Sequence, residues 1–421
     1  MHPIAHEVYP MTDLSMTNRR ERILVSGASI AGPTVAYWLD RFGFDVTVIE
    51  QAGAVRGGGY PIDIRGPAVE VARRMGILPG LRSAHIDAKR ITFLHSDGSV
   101  AGTIRPEEIT GGVENHDIEL PRGDLTELLY GRTRDSAVRY VFNESITSLD
   151  DDGIGVTATF RSGANERYDV VIGTDGLHSN TRRLLFGPEG PFSTYLGYCY
   201  NGFTMPNFLA LSHESLTYTT PGRYAVLSAV KNSPILHAFL IFASEEIPFS
   251  RHQDPASQRR LVAEKFGGIG WEVPRLVTAM EQADDLYYDV VSQIHLDRWS
   301  KGRVVLVGDS AFAPSFLSGQ GSSLAMVGSY ILAGELAARD NPAHAFAAYE
   351  KLMRPYALAN QNLAAAGGDF LLPLTQKAID VRNRTLSNLG SSRIEAMPGE
   401  TSRDVHSSLR LPDYSGALLN R

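Results

Sequence analysis

Apolar positions run along this chain in short blocks, and the period of those blocks predicts its elements. Ile23-Leu24-Val25 is a continuous apolar run of the length and branching expected of a buried strand. Val35, Leu39 and Phe42 then recur at helical spacing, and Gly43 ends that helix. Val46-Thr47-Val48-Ile49 reads as a second buried strand. Two further buried strands end in glycine-bearing turns. Val170-Val171-Ile172 runs into Gly173-Thr174-Asp175-Gly176 and a polar helix start, and Val304 to Val307 ends at Gly308-Asp309. A loop holding Pro314 and Gly319-Gln320-Gly321 then opens a helix with Leu324, Val327 and Ile331 facing inward, which Ser322 or Ser323 is expected to cap.

The remaining pattern is different. Gly66 to Gly76 reads as a helix with Val69, Ala72 and Met75 on one face, and Leu125, Leu128 and Leu129 mark the buried face of another. Ile91 to Leu94 and Val100 to Ile104 flank Asp97-Gly98, a hairpin signal. Strands at Val138 to Val141 and Val156 to Phe160 lie on either side of the turn Asp151-Asp152-Gly153. From 190 to 295, aromatic and β-branched runs at Leu216 to Thr220, Tyr224 to Val230 and Ile235 to Phe242 predict an antiparallel sheet. Helices at Leu261 to Phe266 and Val273 to Met280 cross it. Asn341 to Asn362 and Leu374 to Asn388 are expected helices, the latter a charged surface cover, and a polar tail follows Gly390 until Leu409 to Tyr414.

Composition narrows the function classes. With 421 residues, 43% hydrophobic and 21% charged, the chain suits two interleaved domains of an ordinary soluble enzyme. A net charge of −7 without a basic run argues against nucleic acid as a partner. The lone cysteine, Cys199, allows no internal disulfide and no cysteine metal set, so a reducing cytoplasm is expected. Arg19-Arg20 before the uncharged stretch Ile23 to Leu39 imitates a twin-arginine signal or membrane anchor, but Gly27, Gly32 and Pro33 fit a strand-then-helix better, and no membrane span is expected. Residues 1–20 are polar and irregular and read as a flexible extension. Neither an H-E-x-x-H nor an EF-hand pattern occurs.

The candidate chemistry starts at Gly27-Ala28-Ser29-Ile30-Ala31-Gly32, between strand and helix, with Glu50 at the end of the next strand. This is the order of a dinucleotide-binding fingerprint. Gly27 allows the tight turn, Gly32 lets helix and strand pack closely, and the helix N-terminus offers N–H groups and positive dipole to a pyrophosphate. Glu50 would accept from ribose hydroxyls. The alternative is an ordinary strand-to-helix turn, which Ser29 in place of the middle glycine favours by crowding a phosphate. A hydrolase elbow is discarded, because no acid–histidine pair follows. Gly57 to Gly59 is either backbone held near a ligand or a surface loop. The start at Gly321 again presents N–H groups to an anion, and Asp309 sits at a strand's carboxyl end, where open parallel sheets bind ligands. His178, after the Asp-Gly pair, reads as a polar helix-start residue rather than a catalytic one.

Taken in order, these stretches resemble the flavoprotein monooxygenases of the para-hydroxybenzoate hydroxylase fold over roughly Arg22 to Asn362. GASIAG with Glu50 matches the first family motif. Asp175-Gly176-Leu177-His178-Ser179 with Arg182 matches the second, which serves flavin and nicotinamide coenzyme. Gly308-Asp309 with the Pro and GQG loop matches the third, in which the aspartate holds the flavin ribityl chain. Within the family, Arg56-Gly57-Gly58-Gly59 with Asp63 and Arg65 is similar to tetracycline-inactivating monooxygenases. The resemblance implies FAD contacts from Gly27, Ser29, Ile30, Ala31, Gly32, Glu50, Gln51, Asp63, Asp175, Gly176, Gly308, Asp309, Gly319, Gln320, Gly321, Ser322 and Ser323. It also implies an Arg56 contact with flavin or NADPH phosphate, and Arg122 lying along the FAD. Two positions depart from the pattern: Ser29, and Phe312 where histidine often follows Gly-Asp, which is expected to reshape the pocket for an aromatic or polyketide substrate.

The fold implied is α/β. A Rossmann-like FAD-binding domain (21–86, 117–188 and 296–365) is interleaved with a mainly antiparallel β-sheet substrate domain (87–116 and 189–295). A C-terminal helix and tail (366–421) follow, the helix similar to the one that covers the substrate pocket in the tetracycline-inactivating enzymes. The activity implied is an FAD-dependent monooxygenase. NAD(P)H, with NADPH preferred, reduces the flavin, and O₂ forms a C4a-hydroperoxide that hydroxylates an aromatic, polycyclic or polyketide-like molecule in secondary metabolism or antibiotic inactivation. The helix start at Gly321 to Ser323 would stabilise negative charge on the reduced flavin, and no dedicated catalytic triad or metal is expected. A Baeyer–Villiger oxygenase or other flavin oxidoreductase, and a non-catalytic flavin-containing binder, are the alternatives. The chain would act as a monomer or homodimer.

Overall fold

The computed structural model describes residues 20–55, 57, 60–110, 116–231, 233–248, 254–366, 368–388 and 398–419. Arg56, Gly58, Gly59 and all but the last residue of the expected extension over residues 1–20 lie outside these residues.

A six-stranded sheet runs in the order Ser300–Lys301, Val304–Leu306, Val170–Gly173, Arg22–Ser26, Asp45–Glu50, Arg139–Phe142. Its pairs are parallel except at the Ser300–Lys301 edge. The continuous apolar runs follow from covering both faces. Ile23, Val25, Val46, Val48 and Ile172 face the helices Ala31–Arg41, Gly321–Ala337 and Pro342–Ala366. Leu24, Ile49 and Val171 face the opposite way, onto a three-stranded antiparallel sheet through Ile146, Val156, Phe160 and Tyr168. The helix Gly321–Ala337 is buried from Ser322 to Leu336, on every side rather than on one inward stripe. Gly328 and Gly334 let its neighbours approach: a Cβ at Gly334 would stand 2.1 Å from the Tyr414 ring. No helix among the described residues is long and apolar enough to cross a membrane.

The second large sheet has seven strands, in the order Tyr287–Ile294, Ser193–Pro206, Ile235–Ala243, Arg223–Ala229, Glu214–Thr220, Arg90–Leu94, Val100–Ile104. Only the Glu214–Thr220 and Arg90–Leu94 pair is parallel. Alternation gives each face its own cluster. Leu94, Tyr218, Leu227, Leu240 and Phe242 pack on the helices Pro255–Phe266 and Val273–Gln282. Tyr200, Tyr224, Phe239, Ile241 and Val291 face the other way, towards Tyr60, Phe316 and Leu372.

The chain's end returns to the first sheet's helices. Tyr414 is buried, packs its ring tilted against Tyr330 at 5.4 Å and donates to Glu335 Oε1 at 2.5 Å. Tyr330 Oη donates to Pro412 O at 2.9 Å. The helix Pro398–His406 ends against Gly66, whose Cβ, if present, would meet His406 O at 2.2 Å. The polar tail is therefore a built part of the core.

Candidate flavin site

Three strands deliver the three glycine turns to one place, because Ser26, Gly173 and Leu306 stand side by side in register at the carboxyl ends of adjacent parallel strands. Gly27 has φ +113°, and a Cβ there would lie 2.7 Å from Thr174 O. Thr174 Oγ1 donates to Ser26 O and Gly27 O at 2.8 and 2.9 Å, so the second turn buttresses the first. A Cβ on Gly32 would stand 1.9 Å from Gly27 O, which explains the close helix–strand packing. The helix begins at Ala31 with Ile30 as its cap residue and no side-chain cap, leaving the first N–H groups to other acceptors.

Ser29 Oγ accepts from Arg122 Nη2 at 2.7 Å. Each Glu50 oxygen takes one backbone N–H, from Ala28 and Ala52, at 2.9 Å. Gln51 is exposed. Asp175 turns towards the helix it precedes: Oδ2 accepts from Thr181 N–H and Oγ1 at 2.7 and 2.8 Å, and Oδ1 accepts from Ser179 Oγ. Gly176 has φ +81° and open space about its Cβ position.

At the third turn, Gly308 (φ +72°) lies where a Cβ would touch Ala31 and Ala325 at 3.4 Å, so two helix starts converge on Asp309. Desolvation raises the Asp309 pKa, with Arg122 acting the other way. Gly319 (φ +64°) brings this loop to within 3.2 Å, Cβ to Oδ2, of Asp63, and a Cβ on Gly321 would face Asp309 Oδ1 at 3.6 Å. Asp63 is paired with Arg65 Nη2 at 2.5 Å. The expected cap by Ser322 or Ser323 is not formed. Gln320 is the cap residue without a side-chain cap bond, and both serines lie inside the first turn. Ser323 Oγ instead accepts from Arg65 N–H at 3.1 Å and donates to Asp63 O at 3.2 Å. Phe312 corrects a second expectation. It packs against Trp299 at 4.5 Å in the core of the parallel sheet and does not line a pocket.

Several residues at this junction carried no motif. Tyr60, Tyr200, Phe239, Tyr287 and Phe316 form one aromatic cluster, with Tyr200 and Phe316 stacked at 4.6 Å. Their spread over distant segments left no local signal. Tyr287 Oη donates to Asp289 Oδ2 at 2.8 Å. His178 joins Asp289 Oδ1 through Nε2 (3.1 Å) and Glu189 Oε1 through Nδ1 (2.9 Å). Arg182 Nη2 donates to Glu189 Oε2 at 2.6 Å, and Nη1 to Ser310 O at 3.1 Å. Burial alone would lower the His178 pKa, but hydrogen bonds to Asp289 and Glu189 outweigh it and raise it to about 9. His178 is thus an imidazolium bridge between the parallel sheet and the seven-stranded one. Opposite Asp63, Glu119 is pushed up to about 7 by burial and by the Asp63 charge.

The residues fit a flavin dinucleotide on a test of unmet bonds. The Asp309 carboxylate accepts no hydrogen bond among the described residues. Gln320 is 1% exposed, and its Oε1 has no partner. A buried acceptor without a donor, as Gln320 Oε1 is, is costly, and the hydroxyls and ring N–H of a flavin supply donors.

Comparisons agree with this geometry. Residues 20–360 match the family described as FAD binding domain. A flavin-dependent monooxygenase of Legionella longbeachae is 35% identical over 94% of this chain and 99% of its own. An uncharacterized protein of Mycobacterium tuberculosis is 42% identical over 82% of this chain and 92% of its own. The crystal structure of tetracycline destructase Tet(55) superposes with a TM-score of 0.80 at 34% identity, covering 94% of this chain and 99% of that one. An FAD complex of Klebsiella pneumoniae HpxO, at 20% identity and TM-score 0.75, shares the fold. With three glycine turns gathered at one sheet edge and this likeness along nearly its whole length, the chain belongs to the FAD-binding family of flavin-dependent monooxygenases.

Proposed function

We propose that the protein uses NAD(P)H and O₂ to hydroxylate an aromatic or polyketide-like small molecule, with FAD held at the junction of the three turns. The observation that carries this reading is the buried, unpartnered Gln320 Oε1, near Asp309, whose carboxylate takes no hydrogen bond from the described residues, and near an aromatic cluster. Gly27 to Gly32 and the start of the helix Ala31–Arg41 would take the pyrophosphate, Glu50 a ribose, and Asp309 the ribityl chain. Arg122, held by Ser29, would lie along the dinucleotide. When bound, FAD would supply the redox chemistry, in which two electrons from NAD(P)H let one oxygen atom of O₂ enter the substrate and the other leave as water.

The chain's own residues orient and shield. N–H groups from Gly321 to Ser323, at the positive end of a long helix, would offset negative charge on a bound flavin ring. Tyr60, Tyr200, Phe239 and Phe316 give an apolar wall that excludes water and stacks on planar rings. That wall and the likeness to tetracycline destructases support an aromatic or polycyclic substrate. Asp175-Gly176, beside the first turn, is the proposed approach for nicotinamide, with NADPH preferred.

The test is the absorbance spectrum of the purified protein, followed by NADPH oxidation and O₂ uptake with a panel of polycyclic aromatics. A flavin spectrum, with oxidation accelerated by one compound and a hydroxylated product, is the expected result. A ring-expanded ester would assign Baeyer–Villiger chemistry instead. Flavin without any substrate-stimulated oxidation would indicate a binding protein, and failure to take up FAD would refute the site.

A further inference from the structure

Arg382 lies in the cover helix Gln376–Asn388 and is 2% exposed. Its Nη1 donates to Thr219 Oγ1 at 3.2 Å, and Nε and Nη2 donate to Asn383 Oδ1 at 3.3 and 3.2 Å. The guanidinium carbon stands 4.8 Å from the Phe93 ring centroid. Both acceptors are neutral, and these bonds leave two of the five guanidinium N–H groups unused. Among the described residues no carboxylate pairs with Arg382. The other deeply buried arginines, Arg65 and Arg182, are paired with Asp63 and Glu189. Burial lowers the Arg382 pKa to about 10, which still leaves the group charged at neutral pH. A buried cation facing only neutral groups is unfavourable, and an incoming anion removes that cost.

The position of this charge ties it to the aromatic cluster. Thr219 is the cross-strand partner of Tyr224, and Tyr224 belongs to the same cluster as Tyr200, Phe239 and Phe316. Leu371 packs against both that cluster and the one containing Phe93 and Leu386. The guanidinium therefore stands on the same sheet face as that cluster, beneath the cover helix.

We propose that Arg382 is the anion-recognising residue of the substrate chamber, and that the substrate is a planar ring system carrying an anionic oxygen group, a carboxylate or an ionised enol. This rests on the monooxygenase reading above and adds the charge of the substrate. A planar fork of N–H donors suits such an oxygen pair, while the rings stack on the aromatic wall.

The test uses 2-naphthoate, 2-hydroxy-1,4-naphthoquinone and neutral 2-naphthamide as probes at neutral pH. Affinities are read by thermal shift and by perturbation of the bound flavin spectrum. The wild-type protein is expected to bind at least one of the two anions ten times or more tightly than the amide, and which anion binds assigns carboxylate or enol. Arg382→Gln should erase that preference while leaving amide affinity within twofold, and Arg382→Lys should keep part of it. The melting temperature of unliganded Arg382→Gln should equal or exceed the wild-type value. Equal binding of all three probes, no binding of any, or a parallel loss of anion and amide affinity in Arg382→Gln overturns the proposal. FAD uptake is read separately from the spectrum. A protein that takes up no FAD refutes the monooxygenase reading, while thermal shift of the flavin-free protein still decides the anion preference.

Discussion

Ser29 and Arg122, far apart in the chain, are joined by a hydrogen bond of 2.7 Å in which the guanidinium donates to the serine hydroxyl. The bond explains why a serine stands in the middle of the glycine turn: it anchors the arginine that opens the helix Arg122–Gly131. Ser29→Ala should weaken FAD binding about three- to tenfold, the net value of one ordinary hydrogen bond. Arg122→Ala should weaken it further. Fluorescence titration of FAD measures both, and an unchanged Kd in Ser29→Ala would show that the bond does not serve the cofactor.

Two glycines of the turns should respond differently to alanine. At Gly32 the new Cβ would overlap Gly27 O at 1.9 Å, and backbone cannot yield as a flexible side chain does. Gly32→Ala is expected to destabilise the fold by ~3 kcal/mol and to abolish FAD uptake. At Gly176 the Cβ meets nothing, and the cost is only that of a left-handed residue, about 1 kcal/mol. Denaturant unfolding of the two variants should separate these values, and equal losses would contradict the steric account.

The His178 bridge makes stability depend on alkaline pH. Its folded pKa of about 9 lies above the ordinary histidine value, so its stabilisation is complete below about pH 6.5 and is lost as pH rises through about 9. The imidazole is 23% exposed and Glu189 33%, so solvent screening reduces the gain to roughly 1–2 kcal/mol. His178→Gln should flatten the wild-type fall in melting temperature between pH 6.5 and 9.5. A variant that keeps the wild-type slope would place the titration elsewhere.

The tail's anchor is Tyr414, seated against Gly334 and donating to Glu335. Tyr414→Ala should cost about 3–4 kcal/mol, as for other buried aromatics cut to alanine. Tyr414→Phe should cost less, because the ring still fills the space. Urea unfolding checks this, and a neutral Tyr414→Ala would mean that the tail is dispensable.

Local pattern by itself determined the buried parallel strands, part of the antiparallel ones, most helices and the three glycine turns, because a buried parallel strand must read as a continuous apolar run and a tight turn needs glycine. Gly27, Gly32 and Gly308 were legible for that reason, and so were three strands of the antiparallel sheet over residues 190 to 295, whereas its strands Ser193–Pro206 and Tyr287–Ile294 were not. What tertiary structure decided is pairing between distant segments. The aromatic cluster draws Tyr60, Tyr200, Phe239, Tyr287 and Phe316 from different elements. Phe312 faces the core rather than a pocket because Trp299 packs against it. Ser323 serves Asp63 and Arg65 instead of its own helix, because the strand Pro61–Ile64 lies within its reach. Period and composition report which face of an element is apolar. Only packing reports which partner covers it, and so whether a buried charge such as that of His178 or Arg382 meets its opposite.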